Sequence, residues 1–351
     1  MEKNQIKTLR QTLDERVLVL DGAMGTMIQK YGLREKDFRA KRFAEVEEAQ
    51  KGNNDLLCLT QPQVIAEIHR QYLEAGADII ETCSFNSQVI SMADYGMQDL
   101  VEEINFQAAC IARQEADAMT QINPMKPRFV VGSVGPTSKA ASISPDMEDP
   151  AYRAVTFDQL AEAYTQQMTA LIRGGVDALL IETVFDTLNA KAAILAAKQA
   201  MRLANRQVEI MLSATLSDKA GRTLSGQTLD AFLASVAHAD MLSIGLNCSF
   251  GATDMLPFLR ELARIAPCFV SAYPNAGLPN ILGEYDETPH TMAAHVQPFF
   301  DEGLVNIIGG CCGTSPQHIA AFAQMAQKAT PRKPIAPAST LTLSGLEALH
   351  I

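Results

Sequence analysis

Short apolar runs recur along the chain, separated by longer stretches whose apolar residues follow a helical period. The runs predict eight strands. Their apolar residues are continuous rather than alternating, which is typical of parallel strands buried on both faces. The predicted strands are 17–20, 77–82, 129–134, 176–184, 208–214, 241–246, 269–272 and 305–308.

The intervening stretches predict amphipathic helices at 64–75, 100–119, 157–173, 188–203, 228–239, 253–265 and 291–302. A weak internal repeat links helices to strands: YLEAGADIIET (72–82), IRGGVDALLIET (172–183) and FFDEGLVNIIGG (299–310) each run helix, glycine, short turn, apolar strand. Glycine just past a helix suits the left-handed C-cap, and a right-handed crossover then leads into a parallel strand. Eight such units predict one (β/α)8 TIM barrel; a doubly wound parallel sheet is the alternative.

The end of the chain departs from this pattern. We assign residues 1–327 to the barrel and 328–351 to a tail. Residues 328–340 are rich in proline and small side chains, which is typical of a linker, and residues 341–351 are partly apolar. The tail is expected either to fold back on the barrel or to lead into a following domain.

Composition narrows the class of protein. Hydrophobic residues make up 47% of the chain and charged residues 20%, as in soluble globular proteins. The net charge of −11 and the absence of long basic runs argue against a nucleic-acid partner. The N-terminus lacks the apolar core of a signal peptide, and no apolar stretch is long enough to span a membrane. We therefore expect a cytoplasmic protein whose seven cysteines are reduced.

Three of these cysteines follow predicted strands. The active site of a TIM barrel lies at the carboxyl ends of its strands, where Cys248 follows the sixth strand and Cys311 and Cys312 follow the eighth. Three protein ligands with a fourth position open are typical of catalytic zinc. For the adjacent pair alone, a vicinal disulfide or two buried thiols are equally good interpretations. The flanking glycines would let both thiolates face one ion: Gly309, Gly310 and Gly313.

The other cysteines, at positions 58, 83, 110 and 268, lie in apolar or helical contexts and are predicted to be core residues.

Two further strand ends carry candidate binding groups. LDGAMGT (20–26) places small residues after the first strand, where backbone amides could bind an anion such as a carboxylate; a tight turn is the alternative. Glu182 ends a wholly apolar run, so its carboxylate must meet either a cationic group of a ligand or a salt-bridge partner in the barrel mouth. Asp21 presents the same choice. Together these groups suit an α-amino acid.

Several stretches resemble the zinc- and homocysteine-binding methyltransferases across nearly the whole chain: LDGAMGT, IIETCSFNS, GSVGPTS, LLIETVFDTLNAKAA, LNCSFG, AYPNAGLPN and NIIGGCCGT. Others are most similar to the N-terminal homocysteine module of bacterial cobalamin-dependent methionine synthase: KGNNDLL, ASISPD, SDKAGRTLSGQT and LSGLEAL. Betaine- and S-methylmethionine-dependent relatives share the cysteines and match the second group less well.

The resemblance implies a binding arrangement at the barrel mouth. Zn2+ would bind Cys248, Cys311 and Cys312, with the homocysteine sulfur as fourth ligand. The substrate carboxylate would meet backbone amides of the Gly22-Ala23-Met24 turn, with Glu182 and Asp21 near its ammonium group. Candidates for a resting fourth zinc ligand are Asn247, Tyr273 and Asn275.

The implied activity is methylation of homocysteine to methionine, with zinc holding the substrate sulfur as a thiolate nucleophile and no further catalytic residue. The implied methyl donor is methylcobalamin, carried by another domain or by a separate corrinoid protein, so that the chain would be an excised module or a separate subunit. One alternative is a homocysteine methyltransferase that uses S-methylmethionine or betaine. Another is a non-catalytic subunit that binds homocysteine and zinc.

Overall fold

The computed structural model describes residues 7–281, 283, 285–336 and 341–351. Within this part, the strands of the main sheet are β1 Leu18–Val19, β2 Ile79–Glu81, β3 Phe129–Val134, β4 Ala178–Val184, β5 Glu209–Ala214, β6 Ser243–Gly251, β7 Phe269–Asn275 and β8 Ile307–Ile308. Two short strands follow near the C-terminus, β9 Thr342–Ser344 and β10 Ala348–His350. The α-helices are α1 Leu9–Glu15, α2 Met24–Lys30, α3 Glu35–Arg39, α4 Leu57–Thr60, α5 Pro62–Ala75, α6 Val89–Met92, α7 Val101–Ile122, α8 Phe157–Gly174, α9 Thr187–Ala204, α10 Leu229–Val236, α11 Ala252–Ile265, α12 Pro289–Asp301 and α13 Pro316–Ala326.

The main sheet closes into a barrel. In the described part of the chain, its eight strands pair in the order β1-β8-β7-β6-β5-β4-β3-β2, and every pair is parallel. A parallel bridge between Leu20 and Ile79 joins β1 to β2, supported by a hydrogen bond of 2.7 Å from Asp78 N to Val19 O. The barrel helices that connect successive strands and follow β8 are α5 and α7–α13. The predicted (β/α)8 TIM barrel is confirmed.

The continuous apolar runs are explained by burial on both faces of the strands. Ile79, Leu180 and Met211 belong to a cluster inside the barrel, whereas neighbours such as Ile80 and Leu179 belong to the cluster between the barrel and its helices. Helix α1 contributes Leu9 and Leu13 to the interior cluster. Its Arg10 side chain bonds Glu209, the first residue of β5, so this helix lies at the amino ends of the strands.

Local signals in the sequence explain where the barrel helices begin and end. Thr156 and Gln159 form a capping box at the start of α8, which satisfies amides that have no partner inside the helix. Gly76 and Gly175 end α5 and α8 with φ of +112° and +106°. Glycine reaches this left-handed region without steric cost, which confirms the repeated order of helix, glycine and strand.

Short elements between β1 and α7 were not predicted. Helices α2, α3, α4 and α6 have at most seven residues, too few for a helical period to stand out. Helices α4 and α6 and the start of α7 pack around a separate apolar cluster of Phe43, Leu56, Met92, Met97, Val101 and Ile104, whereas the buried residues of α2 and α3 belong to the main core. The buried Asp55 carboxylate ties this layer to the end of β2, accepting hydrogen bonds from Asn86 N at 2.7 Å and Ser87 Oγ at 3.0 Å.

The described parts of the tail pack against the barrel. Arg332 is buried, and its guanidinium donates to the carbonyl oxygens of Ala263, Ala266 and Cys268. Further on, β9 and β10 pair as an antiparallel hairpin beside α10, where Ser344 Oγ donates to Ala231 O at 2.7 Å. Part of the predicted linker, 337–340, lies outside the described residues.

Candidate active site

The thiols of Cys248, Cys311 and Cys312 converge at the carboxyl end of the barrel. Their sulfur atoms all lie within 4.8 Å of one another, and the sulfurs of the adjacent pair are 4.0 Å apart. All seven cysteines are free, and Cys58 and Cys83 are buried as predicted. Cys110 and Cys268 are partly exposed instead. The site therefore joins residues that are more than sixty positions apart in the sequence.

An irregular strand end orients Cys248. The pairing register of β6 with β7 shifts between Asn247 and Gly251, and Cys248 and Ser249 adopt φ of +59° and +58°. Residues other than glycine rarely adopt this backbone conformation, and such strain is concentrated at functional sites. At this irregularity the strand leaves its regular pairing, and the Cys248 thiol lies close to the thiols that follow β8.

Asn247, on β6, reaches across β5 and holds the end of β4. Its Oδ1 accepts from Thr183 N at 3.1 Å and from Ser213 Oγ at 2.7 Å, and its Nδ2 donates to Thr183 Oγ1 at 2.8 Å. Thr183 is itself strained, with φ of +56°. Asn247, predicted as a candidate zinc ligand, therefore has its side chain engaged in supporting β4.

The adjacent cysteines are fixed by the loop that follows β8. Cys311 N donates to Pro274 O at 2.9 Å, and Cys312 N donates to Asn275 Oδ1 at 3.1 Å. The next residue, Gly313, has φ of +81°, and a Cβ there would lie 2.3 Å from Tyr285 Cβ. Glycine is required at this position because of the positive φ and because a Cβ would collide with Tyr285.

The three thiols shift one another's pKa values. The neighbouring thiols of Cys311 and Cys312 lower the pKa of Cys248 to about 2. The same interaction raises the pKa of Cys311 well above its ordinary value and also raises that of Cys312. A lowered thiol pKa favours the thiolate form, which is the form of cysteine that binds a metal cation.

A group of carboxylates lies deeper in the mouth. Asp21 and Glu182 are 2% and 4% exposed, and burial raises the pKa of Asp21 well above its usual range and that of Glu182 to about 7. Glu182 accepts a hydrogen bond from Ser133 Oγ, and Asp21 Oδ2 accepts from Glu81 N at 3.1 Å. Tyr273 is also buried here, and its hydroxyl has no hydrogen-bond partner among the described residues.

The Asp21–Met24 turn lies between these carboxylates and the cysteines. Ala23 N donates to Thr314 Oγ1 at 3.1 Å, and Thr314 Oγ1 donates in turn to Cys311 O at 2.7 Å. The amides of Gly22 and Met24 make no hydrogen bond within the described part of the chain. Two of the three predicted amides are therefore available to an anion, and the third is occupied.

Two residues of the site were not assigned a role from the sequence. Thr314 links the first strand loop to the cysteine loop, and nothing in its local sequence marks it. Glu81 is the last residue of β2 and Glu182 lies near the end of β4, and each glutamate lies in an Ile-Glu-Thr sequence. That internal repeat was the available signal for Glu81.

A family model described as homocysteine S-methyltransferase matches residues 18–326, which covers the whole barrel. The chain belongs to the homocysteine S-methyltransferase family. Its activity class is therefore methyl transfer to homocysteine.

Solved structures of the homocysteine methyltransferase MmuM from Escherichia coli share the fold. The metallated form is 25% identical with a TM-score of 0.67, covering 90% of this chain and 99% of that chain. The oxidized form is 23% identical with a TM-score of 0.68, covering 88% of this chain and 95% of that chain. The fold of this homocysteine S-methyltransferase barrel is thus shared over almost the full length of both chains.

The cysteine cluster fits a metal ion. Zinc–sulfur bonds of about 2.3 Å in a tetrahedron place the sulfur atoms about 3.8 Å apart. The 4.0 Å between Cys311 and Cys312 is close to this separation, and the three sulfurs lie within 4.8 Å. Thiolate ligands suit zinc and other soft metals far better than magnesium or calcium.

The described helices include none that is both long and apolar enough to cross a membrane.

Proposed function

We propose that this chain is a zinc-dependent homocysteine S-methyltransferase of the cobalamin-dependent methionine synthase type. The observation that carries the proposal is the convergence of Cys248, Cys311 and Cys312 beside buried carboxylates and free backbone amides. Zinc bound by these cysteines would keep the substrate sulfur in its thiolate form, which is the nucleophile, at neutral pH.

The protein's own groups would bind and orient the substrate. The free amides of Gly22 and Met24 suit its carboxylate, and Asp21 and Glu182 suit its ammonium group. With both ends of the amino acid held, the side chain can extend only toward the cysteines. Thr314 connects the turn to the cysteine loop, so that the two halves of the site keep one spacing.

Exposed apolar residues around the mouth support a large methyl donor. Met147 is 94% exposed on the loop after β3, and Leu224 lies exposed on the loop after β5. Leu278 and Ile281 are exposed on the loop after β7. Exposed apolar side chains also occur elsewhere on the described surface, as at Phe106, Ile122 and Leu203, but those at the carboxyl end are the ones that a methyl donor entering the mouth would contact. A cobalamin-binding domain or corrinoid protein carrying methylcobalamin would meet this rim as it presents its methyl group.

The test is anaerobic methyl transfer. Zinc-loaded protein is mixed with homocysteine and free methylcobalamin, and loss of methylated corrinoid is compared with formation of methionine. Equal amounts are expected, because the methyl group moves to sulfur and leaves the corrinoid reduced. Cys311→Ala should abolish both, whereas Cys110→Ala, a cysteine outside the site, should leave both unchanged.

Other outcomes separate the alternatives. Methionine formed from S-methylmethionine or betaine, with methylcobalamin inert, would assign a small donor to the same site. If the protein binds zinc and homocysteine but forms no methionine from any donor, even with a corrinoid protein present, the chain would be a non-catalytic binding subunit.

The metal assignment has its own measurement. Purified wild-type protein should carry about one zinc per chain, and each of the three site cysteines replaced by alanine should lower the zinc content sharply. Elemental analysis after dialysis measures this directly. Zinc retained in full by Cys311→Ala would contradict the assignment.

A further inference from the structure

A third carboxylate lies in the part of the mouth that would receive the substrate ammonium group. Glu81 ends β2, and it points to the same side of the strand as Ile79, which lies inside the barrel. Its backbone amide donates to Asp21 Oδ2 at 3.1 Å, which places the two residues side by side. Unlike Asp21 and Glu182, Glu81 is partly exposed, so a small ligand entering the mouth can reach it.

These carboxylates keep acceptor oxygens unused. Asp21 Oδ1 is buried and has no hydrogen-bond partner among the described residues. Within the same residues, the Glu81 carboxylate accepts no hydrogen bond, and Glu182 uses its Oε1 for Ser133. None of the three forms an ion pair with a described lysine, arginine or histidine. Asp21 Oδ1 is thus a buried acceptor without a partner, which is costly, and a donor from outside the chain is the simplest way to satisfy it.

Their mutual repulsion indicates the charge of that donor. Burial makes the largest contribution to the raised pKa of Glu81, and the negative charges of Glu182 and Asp21 raise this pKa further. The charge of Glu182 also raises the pKa of Asp21. A cation among the three would relieve this repulsion. A carboxyl group that retains its proton still offers an acceptor oxygen, so the geometry does not require all three to be ionised.

We propose that Glu81 is a third ligand of the substrate ammonium group and selects amino-thiol substrates over thiols that lack an amine. The proposal rests on the homocysteine function given above. A primary ammonium has three N–H donors, and Asp21, Glu81 and Glu182 offer one carboxyl group to each. A quaternary ammonium has no N–H donor and would leave the same acceptors unsatisfied.

The experiment compares two ligands that differ only in the amine. Zinc-loaded protein is titrated by calorimetry with L-homocysteine and with 4-sulfanylbutanoate, which has the same thiol and carboxylate but no ammonium group. Glu81→Gln should raise the Kd for homocysteine about tenfold, because the amide keeps an acceptor oxygen but loses the negative charge that strengthens a hydrogen bond from an ammonium group. The Kd for 4-sulfanylbutanoate should stay the same or fall, because a repelling carboxylate is gone.

A general loss of structure would not produce this pattern, since it would weaken both ligands alike. Glu102→Gln, on the exposed surface of α7, is the matched control and should change neither Kd. Glu81→Asp is the second variant and should show a smaller loss for homocysteine alone, since it keeps the charge on a shorter side chain.

Two results would overturn the role of Glu81: an unchanged homocysteine Kd in Glu81→Gln, or equal weakening of both ligands in both variants. If the wild-type protein loaded with zinc binds neither thiol, the proposed function fails and this inference fails with it. If the wild-type protein binds homocysteine normally and the ratio of the two Kd values is the same in the variants, the role of Glu81 is overturned while the proposed function stands.

Discussion

At the scale of single residues, the site depends on a few side chains that hold strained backbone in place. Thr183, Cys248 and Ser249 all have positive φ, and they lie near the carboxyl ends of β4 and β6, the two strands on either side of β5. Asn247 bridges these ends through three hydrogen bonds. Backbone strain of this kind persists only when surrounding contacts enforce it.

We therefore expect Asn247→Ala to destabilise the protein. The buried Thr183 N–H and Ser213 hydroxyl would lose their acceptor, at a cost of roughly 2–4 kcal/mol for the two groups. Urea unfolding measures this, with the exposed Asn123→Ala as control, expected within about 0.5 kcal/mol of wild type. Equal stability of the two variants would show that the bridge does not support the strand ends.

The buried Glu182 predicts a pH dependence. Its pKa is raised from 4.5 to about 7 in the folded protein, so between these values the folded state holds a proton that the unfolded state has released. Its stabilising contribution is complete below pH 4.5 and is lost as the pH rises through 7. Glu182→Gln should remove that loss in the metal-free protein.

Stability curves of metal-free wild type and Glu182→Gln, taken by urea unfolding from pH 4.5 to 8, test this. The variant should gain on the order of 2–3 kcal/mol relative to wild type across that range. Parallel curves would mean that Glu182 titrates normally. Glu162→Gln, exposed on α8, is the control and should run parallel to wild type.

At the scale of elements, the tail is attached through the end of one helix. The guanidinium of Arg332 donates to carbonyls in the last turn of α11 and just beyond it, at Ala263, Ala266 and Cys268. Carbonyls at a helix end have no intrahelical partner, so a buried cation there serves as a C-cap. Arg332 O also accepts from Asn306 Nδ2, which lies directly before β8.

Arg332→Ala should therefore lower the free energy of unfolding by roughly 2–4 kcal/mol, because charge-assisted hydrogen bonds and the packing of the side chain are lost together. Thermal or urea unfolding measures the change. The neighbouring Lys333 is exposed, and Lys333→Ala should have little effect. A small change in both variants would show that this segment is only loosely attached.

At the scale of the whole molecule, the barrel contributes more than the terminal hairpin both to the stability of the fold and to the proposed site. The barrel encloses the interior cluster and carries every residue of the proposed site. The hairpin of β9 and β10 contacts α10 and the loop before it, where Thr228 N donates to Leu346 O at 2.9 Å. Its leucines remain largely exposed, so its removal uncovers little of the core.

Deleting residues 341–351 should consequently cost only about 1–3 kcal/mol of stability, through the lost hydrogen bonds to α10 and its preceding loop. Zinc content and homocysteine affinity should remain those of the full chain. Circular dichroism during urea unfolding and elemental analysis give the two measurements. Loss of zinc on deletion would contradict this division of roles.

Much of the architecture could be predicted because it is recorded locally. Continuous apolar runs mark strands covered on both faces, and glycine after a helix marks its end, so the strand positions and the βα alternation could be predicted from the order of residues alone. The short helices around Leu56 and Met92 were missed because elements of one or two turns have no measurable period. Their stability comes from packing against residues far away in the chain.

The sequence also determined which residues gather at the mouth, because every strand of a closed parallel barrel ends on the same rim. It could not determine how each side chain is used there. The contacts of the folded barrel are what show that Asn247 supports β4, that Thr314 occupies the Ala23 amide, and that Glu81 lies beside Asp21. These roles depend on register shifts and on contacts between separate strands, and neither leaves a pattern along a single segment.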